Sequence, residues 1–275
     1  MILSIIQFSA GTIFLYYGAE FLVKGSKTIA TKFNIPPLVI GITLVAFGTS
    51  LPELIVCIMA NLQGESGMAI GNVMGSNVAN IGLVLGTTAI LSPIYFPFNK
   101  IRYDMYFLIG ITFLPLCFIY IGGLVFWQGI VLILVLLIYC TYLIKSNQLD
   151  NNENNITIDS NNILIVIQVI ASIIGLVIGV TLFIEGAKGI ALALGISSLV
   201  IGMSIVALGT SLPELAASLS SAKHGETSFV IGNVIGSNIM NIVLVLGSTV
   251  LFHDIPTKFA DIIIQGFFMI ILTVG

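Results

Sequence analysis

Apolar residues run through the chain in nine stretches, near 2–32, 36–61, 67–91, 103–122, 124–144, 163–194, 197–222, 227–252 and 259–275. A helix needs about 20 apolar residues to cross the hydrocarbon core of a membrane. Lipid leaves an isolated apolar segment no other open structure, so each stretch predicts a spanning helix. The 2–32 and 163–194 stretches exceed one span and are expected to tilt or to reach beyond the bilayer. The one long polar run, 145–162, is rich in Asn and holds Asp150, Glu153 and Asp159. It reads as a surface loop that divides the chain into 1–144 and 163–275.

The two halves share a duplicated segment. Shifting the sequence by 161 positions lays Ile35–Gly86 on Ile196–Gly247 without a gap, with 29 identities in 52 positions. Many of these are Gly, Pro, Ser, Thr, Asn and Glu, which hydrophobic composition alone would not match. Five predicted helices precede the loop, so the second copy enters the membrane from the opposite side. The expected fold is an all-α polytopic membrane protein of two inverted-topology five-helix repeats, a plan in which substrate sits near the midplane where the copies meet. Ten helices complete such a plan and about nine are legible, so the second repeat is expected to lack its last helix.

Composition agrees. Of 275 residues 57% are hydrophobic and 8% charged, against about 25% charged in soluble domains. So few charges cannot cover a water-soluble surface, which excludes a cytosolic enzyme, a nucleic-acid binder and a disordered tail. A net charge of −3 implies no polyionic partner. Cys57, Cys117 and Cys140 lie far apart in apolar stretches and read as small packing residues. The first residues lack a basic n-region and a cleavage site, so Ile2 onward reads as a retained span. With the N-terminus outside, Lys32, Lys100, Arg102, Lys145 and Lys223 fall inside and Lys258 alone outside, which places the 145–162 loop in the cytoplasm. Asn155-Ile156-Thr157, a match to a glycosylation acceptor, then lies on the wrong side to be used.

Polar chemistry inside the spans is confined to two motifs, each present twice. Gly48-Thr49-Ser50-Leu51-Pro52-Glu53-Leu54 returns as Gly209-Thr210-Ser211-Leu212-Pro213-Glu214-Leu215. Proline removes a helical donor and opens the preceding turn, freeing carbonyl oxygens at membrane depth. Glu53, Ser50 and Thr49 share one helix face, as do Glu214, Ser211 and Thr210. A carboxylate at the bilayer centre costs at least about 2.5 kcal/mol on insertion scales and marks ion pathways. Without a cation, at least one of the pair is expected to hold a proton. The second motif, Gly71-Asn72-Val73-Met74-Gly75-Ser76-Asn77 ending at Asn80, returns as Gly232-Asn233-Val234-Ile235-Gly236-Ser237-Asn238 ending at Asn241. Asn72, Ser76 and Asn80 form a polar stripe beside Gly71, Gly75 and Ala79, a stripe fit for close helix contact. All the donors are hard oxygens, which suit calcium or sodium, whereas zinc and copper favour His and Cys.

These doubled motifs resemble those of the calcium/cation antiporter superfamily, the sodium/calcium exchangers of prokaryotic type. The resemblance covers nearly the whole chain and implies ten helices, external termini, a prokaryotic plasma membrane, and Ca²⁺ and Na⁺ as transported substrates with no cofactor. It implies Glu53 and Glu214 as central ligands, with oxygens from Thr49, Ser50, Thr210 and Ser211 and the carbonyls of Ala46 and Ala207. Ser76, Ser237, Asn80 and Asn241 complete the implied metal sites, and the first and sixth helices slide across the core to alternate access. Some family members carry Asp where Asn80 or Asn241 stands, so this cage has two carboxylates. The motifs lack the acidic Gly-Asn-x-x-Glu context of proton-using relatives, which favours sodium coupling. A proton-coupled exchanger using the same carboxylates is the alternative. A passive channel is disfavoured by the internally built two-fold site, and a hydrolase by the absence of a nucleophile–base pair. Outside the motifs, Glu20 with Lys24 and Glu185 with Lys188 read as pairs along one helix, and Tyr16, Tyr95, Trp127 and His253 as interfacial. His224, beside Lys223 in a short loop, reads as solvated.

Overall fold

A computed structural model describes residues 1–148, 162–195 and 207–274. The predicted polar loop therefore lies almost wholly outside the described residues, as does the start of the predicted 197–222 span. The described chain is helical: α1 (Ile2–Lys32), α2 (Pro37–Thr49), α3 (Leu51–Leu62), α4 (Ser66–Leu91), α5 (Arg102–Ile121), α6 (Phe126–Gln148), α7 (Asn162–Ala193), the short α8 (Ala207–Gly209), α9 (Leu212–Lys223), α10 (Thr227–Phe252) and α11 (Phe259–Val274). Six of these are long and apolar enough to cross a membrane, and the pair α2–α3 makes a seventh. α11 is apolar but only 16 residues long.

One expected span is not a single helix. The 36–61 stretch breaks at Ser50, where α2 and α3 meet at 44°. Ser50 leaves the helical region with ψ near 2°, and Pro52 sits in the first turn of α3, where its missing N–H costs nothing. α9 starts the same way after Ser211, with Pro213 in its first turn. The proline of each motif thus begins a helix that carries its glutamate.

Among the described residues three segments widen into π-helix: Gly41–Val45, Asn80–Leu85 and Asn241–Leu246. Two begin at a predicted ligand asparagine, consistent with the tendency of π-turns to mark functional sites.

α10 is the centre of the molecule, with 89% of its most apolar window buried. It can lie there because Gly232 and Gly236 let backbone meet backbone. A Cβ on Gly232 would stand 2.9 Å from the Cα of Gly41, and one on Gly236 would stand 2.6 Å from the Cα of Ile42. Gly71 and Gly75, the first copy of this stripe, have no described residue against them, and 202 and 203, the equivalents of Gly41 and Ile42, lie outside the described residues.

α1 and α7 pack against each other along much of their lengths through Gly11, Gly18, Gly25, Gly179 and Gly186. α1 reaches the second half through charges. Glu20 accepts from Ser220 at 3.0 Å, meets Nε2 of His224 at 2.6 Å and lies 4.0 Å from Lys223, so its ion-pair partners belong to the α9–α10 turn and not to Lys24. Lys27 pairs with Glu226 in the same turn. The expectation of an in-helix Glu20–Lys24 pair fails because the tertiary fold brings that turn against α1, while His224 is exposed as expected and also meets Glu20. The Glu185–Lys188 pair forms as expected, at 3.9 Å. Of the three free thiols Cys57 is buried, Cys140 half-buried and Cys117 exposed, so the packing role expected of all three fails for Cys117.

Candidate functional site

The motif residues of both halves converge where α2, α3 and α4 meet α9 and α10. Glu53 and Glu214, each in the first turn after a proline-marked break, are both 0% exposed. Thr49, Ser50, Ser76, Asn80, Thr210, Ser211, Ser237 and Asn241 are buried around them, as is Ala46. Ala207 begins α8, but its side chain lies outside the described residues.

The contacts cross between repeats. Ser50 donates to Oε1 of Glu214 at 3.2 Å. Thr49 Oγ1 lies 3.2 Å from the Ala46 carbonyl, 3.3 Å from Oδ1 of Asn233 and 3.3 Å from Oγ of Ser237. Thr210 donates to Oδ1 of Asn72 at 3.2 Å. Thr49 with Asn233 and Thr210 with Asn72 are the same contact under the 161-residue offset, made once in each direction. Asn77 Nδ2 reaches the carbonyl of its own counterpart, Asn238, at 3.4 Å, and Asn80 Nδ2 reaches Oδ1 of Asn238 at 3.1 Å.

Around these bonds, buried polar atoms stand without a hydrogen-bond partner among the described residues. They include both carboxylate oxygens of Glu53, Oε2 of Glu214, Oγ of Ser76 and of Ser211, Oδ1 of Asn80 and both side-chain polar atoms of Asn241. Buried polar atoms are satisfied in the great majority of cases, so a cluster of orphans at one interface is a chemical signature. The orphans are nearly all oxygen acceptors, the donor set a hard cation takes. Among the described residues no three His, Cys, Asp or Glu side chains gather, so such a cation would be held by two carboxylates and neutral oxygens.

The copies are alike in sequence but not in contact. Among the described residues Ser50 binds Glu214, whereas Oγ of Ser211 is unpartnered. Asn80 is tied through its nitrogen, while Asn241 has neither side-chain atom paired. Asn77, Asn238 and Asn233 were not separated by sequence reasoning from the rest of their motif. The signal that finds them is the offset, since residues that touch their own or each other's equivalents lie at the repeat interface.

Comparison with known proteins gives the family of the chain. Residues 3–145 and 164–275 match the family described as sodium/calcium exchanger protein. A membrane protein of Methanocaldococcus jannaschii, MJ0091, is 41% identical over 94% of this chain and 85% of its own. The sodium/calcium exchanger MaX1 of Methanosarcina acetivorans is 34% identical over 89% and 82%. Among solved structures, the sodium-calcium exchanger NCX_Mj soaked with 2.5 mM Na⁺ and 0.1 mM Ca²⁺ superposes with a TM-score of 0.84 at 38% identity, covering 100% of this chain and 90% of that one. The chain is a multi-span membrane protein that belongs to the sodium/calcium exchanger family.

Proposed function

We propose that the chain is an antiporter exchanging Na⁺ for Ca²⁺ by alternating access, with both ions competing for one cage centred on Glu53 and Glu214. The observation that carries this reading is the pair itself. Two carboxylates from equivalent positions of the two halves are wholly buried, and three of their four oxygens lack a hydrogen-bond partner among the described residues. A buried pair of like charges needs a counter-charge, and among the described residues no Lys or Arg is paired with either. One Ca²⁺ or several Na⁺ supply it. Either load neutralises the cage enough to let the protein change its facing, while an empty cage left with uncompensated charge resists, which enforces exchange over leak.

The ligand set is Glu53 and Glu214 with Thr49, Ser50, Thr210, Ser211, Ser76, Ser237, Asn80 and Asn241, together with the carbonyls of Ala46 and Ala207. The working units are the repeats 1–144 and 163–275 joined by the 145–162 loop. The N-terminus lies outside, the loop in the cytoplasm and the protein in the plasma membrane.

The test is ⁴⁵Ca²⁺ uptake by Na⁺-loaded proteoliposomes on dilution into Na⁺-free buffer, beside a matched sample carrying only a proton gradient. Uptake driven by sodium supports the reading. Uptake driven only by protons replaces it with a proton-coupled exchanger on the same carboxylates, and persistence of sodium-driven uptake in a Glu53→Gln, Glu214→Gln double variant overturns the cage.

A further inference from the structure

Two asparagines of the second motif, Asn72 and Asn233, fall outside the ligand set, yet each bridges the two halves. Their amide orientation can be read from neighbours that have no choice of role. Asn233 Nδ2 lies 3.1 Å from the backbone carbonyl of Glu214 and 2.9 Å from Oγ of Ser218. A carbonyl only accepts, so the nitrogen must face Glu214 and the oxygen must face Thr49. Asn72 is held in the same sense. Its Nδ2 lies 3.3 Å from Sγ of Cys57, whose thiol is turned to the carbonyl of Ala69 at 3.5 Å and so presents sulphur as the acceptor. Cys57 and Ser218 occupy equivalent positions under the 161-residue offset.

Each asparagine therefore presents Oδ1 to a threonine of the opposite repeat, Asn233 to Thr49 and Asn72 to Thr210. A hydroxyl has one hydrogen and two lone pairs, and it serves a cation only when that hydrogen points elsewhere. In Thr49 the Ala46 carbonyl and Ser237 compete for that role. The Ala46 carbonyl is itself in the proposed ligand set, which leaves Oδ1 of Asn233 as the acceptor that does not also face the ion.

We propose that Asn72 and Asn233 are positioning residues that take the hydrogens of Thr210 and Thr49, so that both threonine oxygens face the cage as acceptors for the transported cation. Cys57 and Ser218 act one step further back, by fixing the amide orientation. The inference rests on the ligand set proposed above. Asn233 is held by two acceptors and Asn72 by a single, softer one, so the second repeat presents its acceptor more rigidly.

The experiment is a double-variant cycle on the full chain, reading cation affinity separately from maximal rate. Asn233→Leu is expected to weaken apparent Ca²⁺ affinity about five- to tenfold with maximal uptake nearly retained, the size of one lost hydrogen bond. In a Thr49→Val background the same change is expected to add less than about twofold, because no hydroxyl remains to orient. Full additivity of the two substitutions overturns the proposal. Ser218→Ala and the pair Cys57→Ala and Cys57→Ser supply gentler variants should Asn233→Leu fail to fold. Cys57→Ser, which keeps an acceptor, should weaken affinity less than Cys57→Ala, and equal losses overturn the proposal. The same cycle is run by calorimetric Ca²⁺ binding to purified protein. If the wild type binds Ca²⁺ but moves none on a sodium gradient, the exchange reading fails while the binding cycle still decides the role of the asparagines. If it binds no Ca²⁺ and no Na⁺, both fail.

Discussion

The hydroxyl of Ser50 donates to Oε1 of Glu214 at 3.2 Å across the repeat interface, while Oγ of the equivalent Ser211 has no partner among the described residues. The duplicated sequence therefore makes different contacts at equivalent serines. Ser50→Ala is expected to lower stability in ion-free buffer by about 1–3 kcal/mol, because it strips a donor from a buried carboxylate. Ser211→Ala is expected to cost less than half of that. Thermal unfolding of the two variants in detergent without Ca²⁺ or Na⁺ checks the difference, and equal losses would refute it.

Glu53→Gln and Glu214→Gln separate charge from shape. Removing either buried charge is expected to raise the ion-free unfolding temperature, since an uncompensated buried carboxylate is costly. The same variants are expected to lose the stabilisation that ligand confers on the wild type, which is about 2.7 kcal/mol at a hundredfold excess over Kd. Unfolding curves with and without Ca²⁺ read both effects at once.

Gly236 is a steric prediction. A Cβ there would stand 2.6 Å from the Cα of Ile42 and 2.7 Å from the Cβ of Ala46. Gly236→Ala must push α10 away from α2 and should cost about 1–3 kcal/mol, as overpacking does. Gly110→Ala, on α5, meets no described atom within 4 Å and should cost less than about 0.5 kcal/mol. Chemical denaturation of the pair distinguishes them.

Asp104 offers a control away from the cage. It is 6% exposed, and Tyr139 donates to its Oδ1 at 2.7 Å. Tyr139→Phe orphans a buried carboxylate and is expected to lower stability by about 1–3 kcal/mol, with apparent Ca²⁺ affinity unchanged in the uptake assay. A large fall in affinity would place α5 and α6 in the ion path.

The spans, the duplication and the buried glutamate pair were legible because each rests on a property that composition and spacing carry directly. Hydrophobic length fixes what crosses lipid, and an exact offset over polar residues has no explanation except a repeated structure. The break at Ser50 was anticipated as a proline kink, but its form, a new helix beginning with Pro52 in its first turn, depends on backbone angles that hydropathy does not encode. The partners of Glu20 were missed because an i, i+4 rule sees only one helix, whereas His224 and Lys223 arrive from more than 200 positions away. The π-turns at Asn80 and Asn241 leave no mark in residue periodicity. The crossed pairs Thr49–Asn233 and Thr210–Asn72 were derivable in principle, since an antiparallel duplication brings equivalents together, but the offset alone does not say which side chains touch.

The contact between Gly232 and Gly41 has a consequence for how the two halves can move. Where two helices are spaced by side chains, the gap between them can breathe as rotamers change. Here the backbone of α2 that leads to Glu53 rests on the backbone of α10 that leads to Ser237, and a Cβ on Gly232 would stand 2.9 Å from the Cα of Gly41. The spacing of these two helices is therefore set by main chain, and no change of rotamer can widen or narrow it.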